Sequence, residues 1–103
     1  MTTTPDAPDG LFRRAGTTAR DGWSLVVTPD DAGWGYTGLR IADLSAGGRI
    51  ELATGADEAI VLPLSGAVRV TCDGQTLDLA GRTGVFAGPT DFAYVPIGAA
   101  VVL

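Results

Sequence analysis

Hydrophobic and polar residues alternate in short runs from Trp23 to the end of the chain, and turn residues break the runs every few positions. Trp23–Thr28 is apolar and β-branched and is closed by Pro29-Asp30-Asp31. In Trp34–Leu44, Leu39 and Ile41 share a face opposite Arg40 until Asp43 breaks the pattern. After the turn at Ala46-Gly47-Gly48, Arg49–Ala53 places Ile50 and Leu52 opposite Arg49 and Glu51. Glu58–Leu64 is almost wholly apolar, the pattern of a strand buried on both faces. Ala67–Cys72 and Gln75–Leu79 flank Asp73-Gly74, the strongest hairpin signal in the chain. Gly84–Ala87, Phe92–Pro96 and Ala100–Leu103 complete the set of expected strands. Nothing recurs at the 3.6-residue helical period, so the pattern predicts an all-β sandwich or small barrel.

Composition narrows the function more than the fold. A length of 103 residues fits one domain with a modest core. The net charge is −5, and the seven basic residues are all scattered arginines, with only Arg13 and Arg14 adjacent. Nucleic acid needs a basic stripe, so it is excluded as a partner. No apolar run is long enough to span a bilayer, and the N-terminus lacks the basic and apolar regions of a signal peptide. One cysteine, Cys72, allows no internal disulfide. The expectation is a cytoplasmic protein with no membrane partner. Residues 1–22 read as a flexible arm and lead-in, and residues 23–103 as the folded barrel.

Glycine and proline spacing carries the first resemblance. Gly47, Gly66, Pro96 and Gly98 are set as in the two motifs of a cupin, a jelly-roll β-barrel whose motif positions usually hold metal-binding histidines and a glutamate. In this register those positions are Ala53, Gly55, Ala59 and Val101, and the chain has no histidine. A transition metal needs imidazole, thiolate or carboxylate donors, so no metal site and no cofactor is expected here. Glu58 misses the glutamate position by one residue, which in a strand turns its side chain to the opposite face.

A second resemblance is more specific. Trp34-Gly35-Tyr36-Thr37, Gly38-Leu39-Arg40-Ile41, Leu62-Pro63-Leu64-Ser65-Gly66 and above all Gly81-Arg82-Thr83-Gly84-Val85-Phe86-Ala87-Gly88-Pro89-Thr90-Asp91 with Tyr94-Val95-Pro96 are similar to the N-terminal half of the 5-deoxy-glucuronate isomerase family. These are bicupins of myo-inositol catabolism. The resemblance implies aldose–ketose isomerisation of a sugar acid, with a divalent metal in a second cupin that this chain does not contain. On this reading the chain is the metal-free N-terminal half, has no catalytic residue, and is inactive alone. Alternatives are a stand-alone metal-free cupin that binds a sugar acid or other small ligand, or a non-catalytic remnant of a truncated protein.

Three residues are candidates for ligand contact. Arg82 could pair with a sugar-acid carboxylate; the competing role is a salt bridge to Asp78 or Asp91. Arg40 stands on a strand and is expected to face solvent. Asp91 follows Gly88-Pro89 and is expected to bond local backbone. Trp23, Trp34, Phe86, Phe92 and Tyr94 read as core or domain-contact aromatics. Ala100-Val101-Val102-Leu103 reads as a raw apolar edge, which predicts self-association or contact with a second cupin domain, in a chain that continues past Leu103.

Overall fold

The computed structural model describes residues 13–103. Residues 1–12 of the expected arm lie outside the described residues. The chain divides into two compact units, Met1–Gly47 and Gly48–Leu103. The described structure is nearly all β, with antiparallel sheets and no closed barrel, an arrangement compatible with a cupin-like fold.

In the first unit, β1 (Leu25–Val27) pairs antiparallel with β2 (Leu39–Ile41), Val26 opposite Arg40. Trp23, Val26 and Val27 are buried. Pro29-Asp30-Asp31, read from sequence as a turn, opens a one-turn helix, α1 (Pro29–Ala32). Its start is written in side-chain chemistry. The Asp31 amide donates to Thr28 Oγ1 at 3.1 Å, and the Thr28 amide donates to Asp31 Oδ2 at 3.2 Å. This reciprocal capping, with Pro29 pre-set for the first helical position, satisfies the amides that a helix start leaves open. Gly33, at φ 69°, ends the helix in a left-handed conformation. The expected strand Trp34–Leu44 shrinks to Leu39–Ile41, and Trp34 and Tyr36 are exposed. Residues 13–22 carry turns, with the Thr17 amide bonded to Arg14 O and an isolated bridge between Arg20 and Trp23.

The second unit holds six strands: β3 (Glu51–Ala53), β4 (Ala59–Val61), β5 (Gly66–Cys72), β6 (Gln75–Arg82), β7 (Ala93–Val95) and β8 (Ala100–Val102). They form a four-stranded sheet in the order β3-β8-β5-β6 and a two-stranded sheet of β4 and β7. Asp73 (φ 48°) and Gly74 (φ 84°) both adopt positive φ, as a tight hairpin turn of the primed type requires. The turn sets the β5–β6 register, Cys72 opposite Gln75. Val70, Val95 and Val101, from β5, β7 and β8, are the fully buried side chains, joined in the core by Leu79, Ala93 and Ala99.

Three expectations change here. The last strand is not an edge. Val101 pairs with Leu52 on one side and Cys72 on the other, so β8 is internal to its sheet. Gly84–Ala87 is a turn, closed by the Ala87 amide on Gly84 O at 3.0 Å, with Phe86 100% exposed. Glycines at both ends and the lack of a partner strand outweigh the β propensity of Val85 and Phe86. The run Glu58–Leu64 contributes only Ala59–Val61 to a strand. Ala59 and Val61 pack on the core, whereas Ile60 is 64% exposed and Leu62 and Leu64 are exposed as well. The run is therefore covered on one face only. Of the five aromatics read as core or domain-contact residues, Trp23 is buried and Trp34, Phe86, Phe92 and Tyr94 are exposed within this chain.

Two details pin the loops. Thr54 Oγ1 accepts from the Ala99 amide and donates to Pro96 O, both at 2.8 Å, while the Gly98 amide donates to Gly55 O. Gly81 lies at φ 67° where β6 passes a bulge in β5, and a Cβ there would collide with the Gly66 carbonyl. Urea unfolding of Thr54→Val is expected to show a loss of about 1–2 kcal/mol, because an amide and a carbonyl lose their partner together. Gly81→Ala should cost on the order of 2–5 kcal/mol. Gly84→Ala, with open space around the new methyl group, should stay within about 0.5 kcal/mol of the parent chain.

Candidate functional site

Arg82 and Asp91 come together at one corner of the second unit, where β6 ends and the loop to β7 begins, but they do not pair. Asp91 Oδ2 accepts from the Ala80 amide at 2.7 Å and Oδ1 from the Gly81 amide at 2.8 Å. The Gly81 and Ala80 amides hold the Asp91 carboxyl below the usual carboxylate range, since both bonds favour the charged form. Arg82 instead donates from Nη1 to the Gly88 carbonyl at 2.9 Å, bracing the Gly84–Gly88 turn. Its Nε is sealed from solvent and has no acceptor among the described residues. A buried donor left open costs on the order of 1–3 kcal/mol. Neither partner foreseen for Arg82 is available to it: Asp91 is committed to backbone, and Asp78 is held by Arg69, Nε to Oδ1 at 2.7 Å.

Arg40 belongs to the first unit and is exposed, as expected, but it is not idle. Its guanidinium lies 5.5 Å from the centroid of the Trp23 ring. A cation–π contact of this kind contributes roughly 0.5–1 kcal/mol at an exposed site.

Two of the four cupin ligand positions lie at the core, and the other two, Ala53 and Gly55, are exposed. Val101 is 1% exposed inside the core, Ala59 packs against that core, and Ala53 pairs with Ala100 across β3 and β8. Gly55 carries the loop at φ 60° and offers its carbonyl to Gly98. No group of three or more histidine, cysteine, aspartate or glutamate side chains that could hold a metal ion occurs among the described residues. Alanine, glycine and valine at the four positions supply no imidazole, thiolate or carboxylate donor.

Glu58 is the carboxylate nearest to a ligand position in sequence. It accepts a 2.7 Å hydrogen bond from the Tyr94 hydroxyl, on the outer face that Tyr94 shares with its register partner Ile60. The Glu58 carboxylate as acceptor pushes the Tyr94 phenol above its ordinary value. Sequence reasoning did not find this pair: Glu58 lies diagonally across from Tyr94 in the Ile60↔Tyr94 register, which joins strands far apart in sequence. Cys72 is half-buried, paired with Val101 and Gln75 in the sheet.

The depressed Asp91 pKa implies an acid-sensitive corner. A carboxylate with a lowered folded-state pKa contributes stability that is present above its unfolded value and lost as pH falls through the folded one. Asp31 and Asp78 are lowered too, by Thr28 and by Arg69. The Asp91 share is thus the difference between the parent chain and Asp91→Ala. Their stabilities should differ at neutral pH and converge as pH drops below about 4, measured by urea unfolding at a series of pH values.

Over 67 residues the chain is 39% identical to the 5-deoxy-glucuronate isomerase of Lacticaseibacillus casei, an alignment that takes in 63% of this chain and 25% of that protein. The chain thus spans about a quarter of the length of the curated relative it matches. No solved structure is matched. The KduI/IolB family pattern runs through residues 11–103, which include both strand units and the Arg82–Asp91 corner, and the chain belongs to the KduI/IolB family.

Proposed function

We propose that this chain is the metal-free N-terminal portion of a cytoplasmic 5-deoxy-glucuronate isomerase-type protein of myo-inositol catabolism, and that it serves the fold and assembly of a catalytic barrel supplied by other sequence. One observation carries the reading. The chain is a family member by sequence, yet Ala59 and Val101, two of its cupin ligand positions, belong with the apolar core.

Aldose–ketose isomerisation moves a proton between adjacent carbons while the carbonyl oxygen is polarised. It needs a positioned base and a Lewis acid or strong donor. The two glutamates are engaged elsewhere, Glu51 with Arg49 and Glu58 with Tyr94, and both are exposed. Asp91 is occupied by backbone amides. What remains is a scaffold, with one underused cation at Arg82. The divalent metal of the reaction belongs, on this reading, to the second barrel. No helix among the described residues is long and apolar enough to cross a membrane.

Two measurements test the division of labour. The purified chain should give no turnover of 5-deoxy-glucuronate, whereas the Lacticaseibacillus casei isomerase should stay active when its matching segment is replaced by that of this chain. Turnover by the chain alone would move the chemistry into these residues. Metal analysis after dialysis should find no stoichiometric zinc or manganese on the chain. A full equivalent would show that the cupin positions are wrongly placed.

A further inference from the structure

We propose that the Nε–Nη2 edge of Arg82 is a docking site for a carboxylate, and that the 84–88 turn covers it. The proposal deepens the isomerase-type reading and rests on it for the ligand class, a sugar acid. Three features of the corner carry it. Arg82 is anchored from one side only: Nη1 donates to the Gly88 carbonyl, so the guanidinium plane is already fixed. Its Nε faces no acceptor among the described residues, although it is shut off from solvent. The two carboxylates that the sequence offered as its partners are otherwise committed, Asp91 to the Ala80 and Gly81 amides and Asp78 to Arg69.

A guanidinium binds carboxylate best through two parallel N–H groups. With Nη1 taken by Gly88, the pair that remains is Nε and Nη2, the side-on fork. A carboxylate seated there gives the sealed Nε its missing acceptor, and the arginine loses little conformational entropy because its plane is set beforehand. Entry requires the cover to shift. The turn from Gly84 to Gly88 is suited to this. It is closed by one backbone bond, Ala87 to Gly84, it carries the fully exposed Phe86, and Gly88 stands at φ 133°, which side-chain-bearing residues rarely adopt. Binding is non-covalent, and no proton is transferred.

The experiment is NMR on the ¹⁵N-labelled chain, following the Arg82 Nε–Hε resonance, assigned by its loss in Arg82→Lys. Sodium glucuronate, sodium acetate and uncharged glucose are titrated separately at constant ionic strength. A saturable downfield shift of Hε with glucuronate, none with glucose, and an affinity about tenfold weaker in Arg82→Lys, read from neighbouring amides, is the expected result. An Hε that stays fixed with both carboxylates while the amide spectrum is dispersed overturns the site. A shift with acetate but not glucuronate upholds the carboxylate site and removes the sugar acid as its ligand. Should Arg82→Lys unfold, Ala87→Pro provides the second variant: it removes the backbone bond that closes the covering turn and leaves the anchoring Gly88 unsubstituted, and an unchanged glucuronate affinity there refutes the role of the turn as cover. The isomerase assays do not depend on this edge. A silent Hε therefore leaves the scaffold role intact, and an inactive chimera leaves the Hε shift to stand by itself.

Discussion

The second unit depends on Val101. It lies at the centre of β8, pairs with Leu52 on one side and Cys72 on the other, and is buried against Val70 and Val95. Through those contacts one residue ties β3 to the β5–β6 hairpin and ties the four-stranded sheet to the β4–β7 pair, which contributes Val95. Without β8, β3 has no partner in its sheet and a lone hairpin remains, a marginal structure in water. Each buried valine of this node contributes roughly 1.5–3 kcal/mol through apolar burial, and β-branched side chains suit the pleated surface that they fill.

The same node bears on the proposed metal-free reading. Val101 stands at the histidine position of the second cupin motif, and Ala59, at the glutamate position of the first, packs on the same core. An imidazole or carboxylate placed there would need a partner or a metal, since an unpaired polar group in such a site is costly. Valine and alanine have no such need and add to the core. The two motifs are then held together by other means. Thr54 bridges Pro96 and Ala99, and Gly98 bonds Gly55. Hydroxyl and backbone bonds join the segments that a metal would join in a ligand-bearing cupin.

What could be read from sequence was whatever is decided locally. Asp73-Gly74 specified its hairpin because positive φ at two consecutive residues leaves few choices. The family spacing was visible because glycine and proline mark turns independently of context. Strand order was not legible: nothing in Ala100–Leu103 says that β3 and β5 will flank it, so an internal strand looked like a raw edge. Glu58–Leu64 misled for a related reason. An apolar residue at nearly every position says that both faces are dry, but Ile60, Leu62 and Leu64 are exposed within this chain. The α1 turn was legible in principle, since Thr28, Pro29 and Asp31 are the residues that helix starts favour, but four residues give no period to detect. The bonds of Asp91 to amides ten and eleven residues away leave no trace in local pattern.

Arg82 and Asp91 show why proximity in a motif is a poor guide to pairing. Had the carboxylate turned to the guanidinium, the Ala80 and Gly81 amides, near the end of an edge strand, would have lost their acceptor. The Gly81 backbone, already confined to positive φ by its approach to Gly66, has little freedom to find another. Asp91 therefore commits both oxygens to the backbone, in two charge-assisted bonds of 2.7 and 2.8 Å. The consequence falls on Arg82. It keeps its charge uncompensated by any described carboxylate and is anchored by a neutral carbonyl, which fixes its plane without quenching its field. The requirement that stabilises the end of β6 thus leaves a cation in a defined orientation. With Ala59 and Val101 given over to the core, that cation is the group on which the proposed carboxylate docking rests.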